Sequence, residues 1–149
     1  MNAANRQLSK QRLRLWLRML SAQREVEGYL REKLRAEHDS TLPRFDVMSA
    51  LDRYRDGLRM SDLSAKLKVS NGNVTGIVER LAGEGLVERA VVDGDRRAML
   101  VRLTPEGIQR FAEMAAAHET WVDEKLSDFT AAELDTLIKL LDRLGDHHE

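Results

Sequence analysis

The polar side chains that could make specific chemical contacts concentrate in the middle of the chain, and their types suit nucleic acid. Asparagine can bond adenine through two hydrogen bonds, and threonine can offer a hydroxyl or contact a thymine methyl group. A serine before an apolar-periodic stretch is a good N-cap, which leaves helix N–H groups to meet a phosphate. One short segment and the arginine that follows it supply these candidate DNA contacts: Ser70, Asn71, Asn73, Thr75 and Arg80.

A second group of candidates lies in a glycine-containing polar turn that joins two β-forming runs, 86–92 and 98–103. Such a turn between such runs is typical of a hairpin. Arg96 and Arg97 stand beside Asp95, whose carboxylate can orient one guanidinium through a charge-assisted hydrogen bond. An arginine on a narrow ribbon suits the minor groove of A·T-rich DNA, where negative potential is concentrated.

Two short helices must hold the first group of candidates in place. Helical spacing of apolar residues predicts one helix over 60–68 and another over 70–82. The pattern also fits two packed helices of an ordinary domain with polar residues facing water. The hairpin that follows favours a winged helix-turn-helix, whose second helix enters the major groove. The predicted inner face consists of Leu63, Ala65, Leu67, Val69, Val74, Ile77, Val78 and Leu81.

Longer helices flank this region on both sides. Apolar residues recur at helical spacing over 10–37, 105–127 and 130–145. The last of these begins with Thr130 and Glu133 at the spacing of a capping box. The three apolar stripes exceed what a winged region of about 40 residues could cover, so we expect them to pack against a second copy of the chain.

The expected architecture is a single domain over residues 1–149, mainly α with a small β-hairpin wing. The winged helix-turn-helix occupies 58–104, and N- and C-terminal dimerisation helices flank it at 10–56 and 105–145. A chain of 149 residues is long enough to bury one core of its own.

Composition narrows the class of protein. Apolar residues make up 42% of the chain and charged residues 33%, which is typical of a globular protein. The absence of cysteine excludes disulfides, thiolate catalysis and cysteine-based redox sensing. The N-terminus has no secretion-signal pattern, and no apolar run is long enough to span a bilayer, so we expect a cytoplasmic protein.

Charge is distributed unevenly along the chain. Residues 1–35 contain nine Lys/Arg and three Glu, a net charge of +6, whereas residues 113–149 contain three Lys/Arg and ten Asp/Glu, a net charge of −7. Opposite charges at the two ends predict that the ends pair, within a subunit or across a dimer. Two helix faces exposed to water would show the same pattern.

Residues 60–107 closely resemble the multiple-antibiotic-resistance regulator (MarR) family. The family's D-x-R wing signature appears as Asp95-Arg96-Arg97, and the flanking helices match the family's dimerisation helices in number and order. The resemblance implies an obligate homodimer that represses transcription from a palindromic operator. It also implies that Arg97 enters the minor groove, that Asp95 braces it, and that the start of the 70–82 helix contacts bases. Gly76 departs from the pattern, since many relatives have a longer, often basic side chain there.

The resemblance further implies a small-molecule effector, because relatives commonly bind one between the dimerisation helices and the winged region. The first two helices are similar to those of regulators of aromatic-compound breakdown, some of which respond to aryl-coenzyme A esters. An aromatic-lined cavity with an arginine or histidine would suit an aromatic acid or its thioester. Trp and Met at helical spacing are more often core residues than ligand contacts. The candidate ligand contacts are Trp16, Met19, Leu20, Tyr29, His38, Arg44 and Phe45.

Other classes of protein fit the sequence less well. The four histidines, His38, His118, His147 and His148, show no metal-ligand spacing with acids on one helix face. We therefore predict no catalytic centre, cofactor or metal site. Two alternatives stay open: a metal-sensing regulator of the same fold, and a winged-helix module that binds only protein. The second alternative predicts no DNA affinity and a dispensable Arg97.

Overall fold

The computed structural model describes residues 2–68, 73–92 and 95–145, with the backbone alone for residue 92 and residues 95–98. Most of these residues are helical, and one antiparallel hairpin interrupts the helices. This confirms the predicted class, mainly α with a small β-hairpin. The elements are α1 (Ala3–His38), α2 (Leu42–Arg53), α3 (Met60–Lys66), α4 (Val74–Gly83), β1 (Val87–Val92), β2 (Asp95–Leu103), α5 (Pro105–Lys125) and α6 (Ala131–Leu141), followed by a 3₁₀ turn at Asp142–Leu144.

Threonine caps fix the starts of α2, α5 and α6. The Thr41 hydroxyl accepts a hydrogen bond from the backbone N–H of Arg44 at 3.2 Å, and the Thr104 hydroxyl accepts one from Gly107 at 3.0 Å. Thr130 and Glu133 exchange both hydrogen bonds of the predicted capping box. These caps satisfy N–H groups that the first turn of a helix leaves without a partner.

Some helix boundaries differ from the prediction. α1 begins at Ala3 rather than residue 10, because the Asn2 side chain accepts a hydrogen bond from the N–H of Asn5 at 2.9 Å and caps the helix. α1 ends at His38, where Asp39 adopts the left-handed conformation that commonly stops a helix. α3 ends at Lys66, two residues earlier than predicted.

The hairpin is tied to the helical part of the winged region. β1 and β2 pair in antiparallel register from Val87 opposite Leu103. Leu58, in the segment between α2 and α3, exchanges two backbone hydrogen bonds with Val101 of β2, at 2.9 and 2.8 Å. The base of the hairpin therefore cannot move independently of that segment.

Helix α2 lies at the centre of the core. It packs against α1, α3, α4, α5 and β2, and its Val47, Met48 and Leu51 are at most 1% exposed. Burying each such side chain stabilises the fold by about 1.5–3 kcal/mol. The fully buried side chains that surround α2 include Leu34, Leu63, Val78, Leu81 and Val101.

The N-terminal half of α1 and all of α6 lie outside this core. Leu13, Leu15, Trp16 and Leu17 each expose more than half of their surface. α6 has no buried residue, and its Ile138 is 59% exposed. Nothing in the described ranges covers these apolar surfaces. No helix among the residues described combines the length and apolar character needed to cross a membrane.

The ion pair that joins α1 to α5 has the opposite sense to the predicted one. Lys125 of α5 lies 2.9 Å from Glu25 of α1, so the acid is on the N-terminal helix. The Lys125 ammonium also lies 5.1 Å from the centre of the Tyr29 ring, and the Tyr29 hydroxyl donates to Glu124 at 3.5 Å. The basic side chains from Arg6 to Arg18 are exposed. The predicted pairing of the two chain ends is therefore not seen among the described residues of one subunit, and contacts between subunits and helix faces exposed to water both fit the exposure.

The start of α5 lies close to the start of β1, and Gly107 makes this approach possible. A Cβ atom built on Gly107 would overlap the carbonyl oxygen of Leu86 and would lie 3.3 Å from the Leu103 side chain. Gly83, at the end of α4, has open space where its Cβ would lie. The two glycines therefore provide a matched comparison.

We expect Gly107→Ala to lower the free energy of unfolding by about 1–3 kcal/mol, because the overlapping atom belongs to the backbone and cannot change rotamer. Gly83→Ala is the control, and it should be neutral or stabilise by up to about 1 kcal/mol, since alanine favours the helix. Urea unfolding followed by circular dichroism measures both values. Equal stability of the two variants would contradict the role of Gly107.

Candidate DNA-binding surface and an adjoining cavity

Helices α3 and α4 form a helix-turn-helix, and α4 has two distinct faces. Val74, Ile77, Val78 and Leu81 face the core and are at most 9% exposed, as predicted. On α3, Leu63 is fully buried but Ala65 is exposed, and Leu67, which follows the helix as its C-cap, is half-buried. The prediction for Ala65 was wrong because it lies two residues from Leu63, about 200° around the helix. Val69 lies outside the described residues.

The start of α4 differs from the prediction and involves two of the singled-out residues. The helix begins at Val74, and its N-cap is Asn73 rather than Ser70. The Asn73 Oδ1 atom accepts a hydrogen bond from the N–H of Gly76 at 3.0 Å, so this oxygen serves the helix rather than pointing freely outward. A Cβ atom at position 76 would overlap the Asn73 amide. A side chain at position 76 would therefore require the Asn73 amide to move. Ser70 and Asn71 lie outside the described residues.

Thr75 and Arg80 are both exposed, but they lie on different sides of α4. Five residues separate them, which places them about 140° apart around the helix and about 7.5 Å apart along it. If Thr75 faces the bases of a groove, Arg80 lies toward its wall, where phosphates are found. The two side chains therefore suit different kinds of DNA contact.

The backbone of Asp95, Arg96 and Arg97 lies in β2 rather than in the hairpin turn. The structure pairs Asp95 with Val92, which makes it the first residue of the strand. The predicted start of this strand at residue 98 was wrong by three residues, because the ladder continues past the irregularity between Val91 and Val92. The side chains of the triplet lie outside the described part of the structure.

Asp46 is a functional candidate that sequence reasoning missed. It is 8% exposed, and its Oδ2 atom accepts a hydrogen bond from the backbone N–H of Lys68 at 2.7 Å. Lys68 follows α3, so the contact fixes α2 to the chain just after α3. An acid within the apolar repeat of α2 was the available signal, because a buried carboxylate needs a hydrogen-bond donor. A cavity of about 440 Å³ beside it is lined by Arg53, Tyr54 and Lys66 among others.

The candidate ligand contacts do not come together within one subunit. Trp16, Met19 and Leu20 lie on the exposed half of α1, and Trp16 is 53% exposed. His38 is the last residue of the same uninterrupted helix, about 33 Å away at the rise of an α-helix. Trp16 and His38 therefore do not line a common pocket within one subunit, and the role of Trp16 in ligand binding stays a prediction for the dimer.

Tyr29 and Phe45 take part in packing against α5. Tyr29 contacts Lys125 and Glu124, as described above. The Phe45 ring stacks on His118 with 4.6 Å between ring centres, and it lies 5.3 Å from Phe111. Burial lowers the pKa of His118 below its ordinary value, so this contact favours the neutral imidazole.

His38 and Arg44 do share a site. A cavity of about 160 Å³ lies where the end of α1, the first turn of α2, the end of α4 and the first half of α5 meet. Arg44 forms an ion pair with Glu84 at the end of α4, and only 17% of the Arg44 side chain is exposed. The Arg44 Nε atom is buried and has no hydrogen-bond partner among the described residues. We call this site the Arg44 cavity; its lining is His38, Asp39, Ser40, Arg44, Met48, Glu84, Leu86, Glu106, Arg110 and Met114.

Metal-binding side chains do not form a cluster in the part of the chain described. No group of three or more His, Asp or Glu residues there is arranged to hold a metal ion. His147 and His148 lie outside the described residues.

Comparisons with known proteins agree with the helix-turn-helix and hairpin described above. Residues 38–98 match the profile of the MarR family. The whole chain is similar to a MarR family transcriptional regulator from Silicibacter pomeroyi, with 32% identity and a TM-score of 0.79 over 91% of this chain and 94% of that protein. Its fold is also similar to that of a mutant MarR from E. coli complexed with operator DNA, at 24% identity and a TM-score of 0.75 over 98% of this chain and all of that one.

Curated relatives match over shorter stretches. The HTH-type transcriptional regulator YdgJ of Bacillus subtilis is 32% identical over 94 residues, which are 63% of this chain and 57% of YdgJ. The regulator YfiV of the same organism is 35% identical over 66 residues, which are 44% of this chain and 41% of YfiV. The chain therefore spans about half the length of these two relatives.

The packing of Asn73 over Gly76 predicts that the effect of Gly76→Ala on the free energy of unfolding changes sign when Asn73 is also replaced. Asn73→Ala should lower the free energy of unfolding by about 1 kcal/mol, the usual value of an N-cap. Gly76→Ala alone should also destabilise, because its Cβ would displace the Asn73 amide. In the Asn73→Ala background, Gly76→Ala should instead stabilise by up to about 1 kcal/mol, since only helix propensity remains. Thermal unfolding of the four proteins measures this, and the same sign in both backgrounds would contradict it.

Proposed function

The chain belongs to the MarR family of transcriptional regulators, and we propose that it represses transcription by binding a palindromic operator as a homodimer that a small aromatic acid releases. The observation that carries the proposal is α4, which buries one face in the core and exposes the other, next to a hairpin that contains Asp95-Arg96-Arg97. Such a pair of elements suits insertion of a helix into the major groove and of an arginine into the minor groove. We place this activity in the cytoplasm.

The proposed dimer rests on the surfaces that one subunit leaves uncovered. The apolar side chains of the N-terminal half of α1 and of α6 are exposed in a chain that has a well-buried core elsewhere. Contiguous apolar surface of this kind marks an interaction site. A two-fold dimer would also set the distance between its two α4 helices, and so the spacing of the operator half-sites.

We expect Ile138→Glu to convert the protein from dimer to monomer in sedimentation at micromolar concentration, because a charge would replace a buried apolar contact. Val91→Glu is the matched control: Val91 is 58% exposed, close to the 59% of Ile138, but it lies on β1. It should leave the dimer intact. If the parent protein sediments as a monomer and still binds its operator tightly, the dimer is wrong.

The proposed contact between the hairpin and DNA can be tested by replacing the charged side chains of the hairpin. At fixed salt concentration, Arg97→Ala should weaken operator binding by about 1–3 kcal/mol, the value of a good charged contact in a groove. Asp95→Ala should cost less, since it only orients the arginine. Arg102→Ala is the control, because Arg102 lies on the same strand but pairs with Glu88 at 2.8 Å.

Fluorescence anisotropy with labelled DNA from upstream of the protein's own gene measures these affinities. An Arg97→Ala variant that binds as tightly as the parent would remove the wing from the DNA contact. Failure of the parent to bind any DNA would favour the alternative of a protein-binding winged helix.

The proposed effector is a carboxylic acid with a single ring. The Arg44 cavity offers a half-buried guanidinium, which suits a carboxylate. Its volume of about 160 Å³ is well below the roughly 300–1,000 Å³ of pockets for drug-sized ligands. An aryl-coenzyme A ester, the larger effector considered from the sequence, would have to leave its nucleotide outside this cavity.

A further inference from the structure

We propose that the Arg44–Glu84 ion pair is the switch of this regulator: a carboxylate ligand takes Arg44 from Glu84 and frees the C-terminal end of α4. The inference rests on the proposed function, because it assigns to one contact the step by which the effector changes DNA binding. The elements on the two sides of the contact, the exposure of the two side chains and the lining of the cavity all support it.

The pair joins the two parts of the molecule that a switch must connect. Arg44 lies in the first turn of α2, and α2 is the helix at the centre of the core. Glu84 is the C-cap of α4, and β1 begins at Val87, three residues later. Leu86 donates its N–H back to the carbonyl of Leu81 at 2.9 Å, so the corner is compact. A displacement of Glu84 would therefore move the end of α4 and the start of β1 together.

The two partners differ in how readily each can leave. The Arg44 side chain is 17% exposed, and that of Glu84 is 50% exposed. A guanidinium that is mostly shielded from water loses more when its carboxylate leaves than a half-exposed carboxylate does, because water can solvate the carboxylate. Arg44 therefore keeps a carboxylate partner, and Glu84 is the partner that can be exchanged.

The guanidinium also has an unused donor. Glu84 is bound by Nη2, while Nε is buried without an acceptor among the described residues. A ligand carboxylate can bind Nε and Nη2 side by side, the geometry in which arginine binds carboxylates best. A ligand acid would therefore satisfy an atom that Glu84 does not.

The other charged groups of the Arg44 cavity define the rest of the ligand. Arg110 and His38 add cationic or donor groups, and Asp39 and Glu106 add acceptors. Because the acids need a donor from any ligand near them, the site favours a ring acid that also carries a hydroxyl group. A neutral amide of the same shape lacks the charge that competes with Glu84.

The experiment compares three ligands: benzoate, 4-hydroxybenzoate and the neutral control benzamide. Their binding to the full-length protein is measured by calorimetry, and operator affinity is measured by anisotropy with and without each compound. The variants are Glu84→Gln, which removes the competing charge, and Glu88→Gln, which removes an exposed carboxylate that is paired with Arg102 on the hairpin. Thermal unfolding checks that each variant is folded.

We expect the two acids, but not benzamide, to bind the parent and to weaken its hold on the operator. Glu84→Gln should bind the acids about tenfold more tightly, since the competitor is gone, and tenfold corresponds to about 1.4 kcal/mol. Without ligand, this variant should already bind operator as weakly as the loaded parent, and the acids should change that affinity no further. Glu88→Gln should behave like the parent in both assays.

Several outcomes would overturn the switch. The acids failing to bind the parent, binding Glu84→Gln no more tightly, or still releasing operator from that variant as they do from the parent would each do so. In the last case the parent remains a ligand-responsive DNA-binding protein, so the proposed function stands. A parent that binds no DNA at all, while Glu84→Gln still binds the acids more tightly, would instead reject the function and keep the competition for Arg44.

Discussion

The rest of the structure depends on the burial of α2 beneath five other elements. Its apolar residues are almost completely enclosed, so the polar residues between them are held in fixed places. Two of these contact the helix-turn-helix. Asp46 binds the backbone of Lys68 just after α3, and Arg44 binds Glu84 at the end of α4. One buried helix thus contacts both α3's end and α4's end.

The Asp46–Lys68 and Arg44–Glu84 contacts differ in how readily each can break, and we expect this difference to decide which of them opens. Asp46 is 8% exposed, so its carboxylate depends on donors from the protein, and loss of the Lys68 contact is costly. Glu84 can turn to water when Arg44 is taken. Since the inner face of α4 is packed in the core, we expect release of Glu84 to change the tilt of the helix rather than unfold it. We also expect the contact between α2 and the chain after α3 to stay in place in such a movement.

The features predicted best from the sequence are those fixed by contacts between residues that lie close together in the chain. The capping box of Thr130 and Glu133 is complete within four residues, and it forms as expected. The start of α4 was misplaced because Ser70 and Asn73 are both good caps. The deciding contact is the fit of the Asn73 amide over Gly76, which requires the helix to be built first.

Contacts between residues far apart in the chain could not be predicted from the sequence. Forty residues separate Arg44 from Glu84, and no pattern in either segment indicates the other. The separation of Trp16 from His38 is a different case, because both lie in one apolar-periodic stretch. The length of an uninterrupted helix alone places them far apart, and only the analogy with ligand sites of relatives suggested a shared pocket.

A switch made from one ion pair is limited in strength, and the proposed dimer would offset this limit. A ligand can shift an equilibrium only by its difference in affinity for the two states. The expected tenfold gain in acid affinity of Glu84→Gln puts the competition by Glu84 at about 1.4 kcal/mol per subunit. If each loaded subunit weakened the operator complex by that amount, the proposed dimer would lose about a hundredfold in operator affinity. In that dimer the apolar surfaces of α1 and α6, which would join the subunits, would contribute to the regulation together with the cavity.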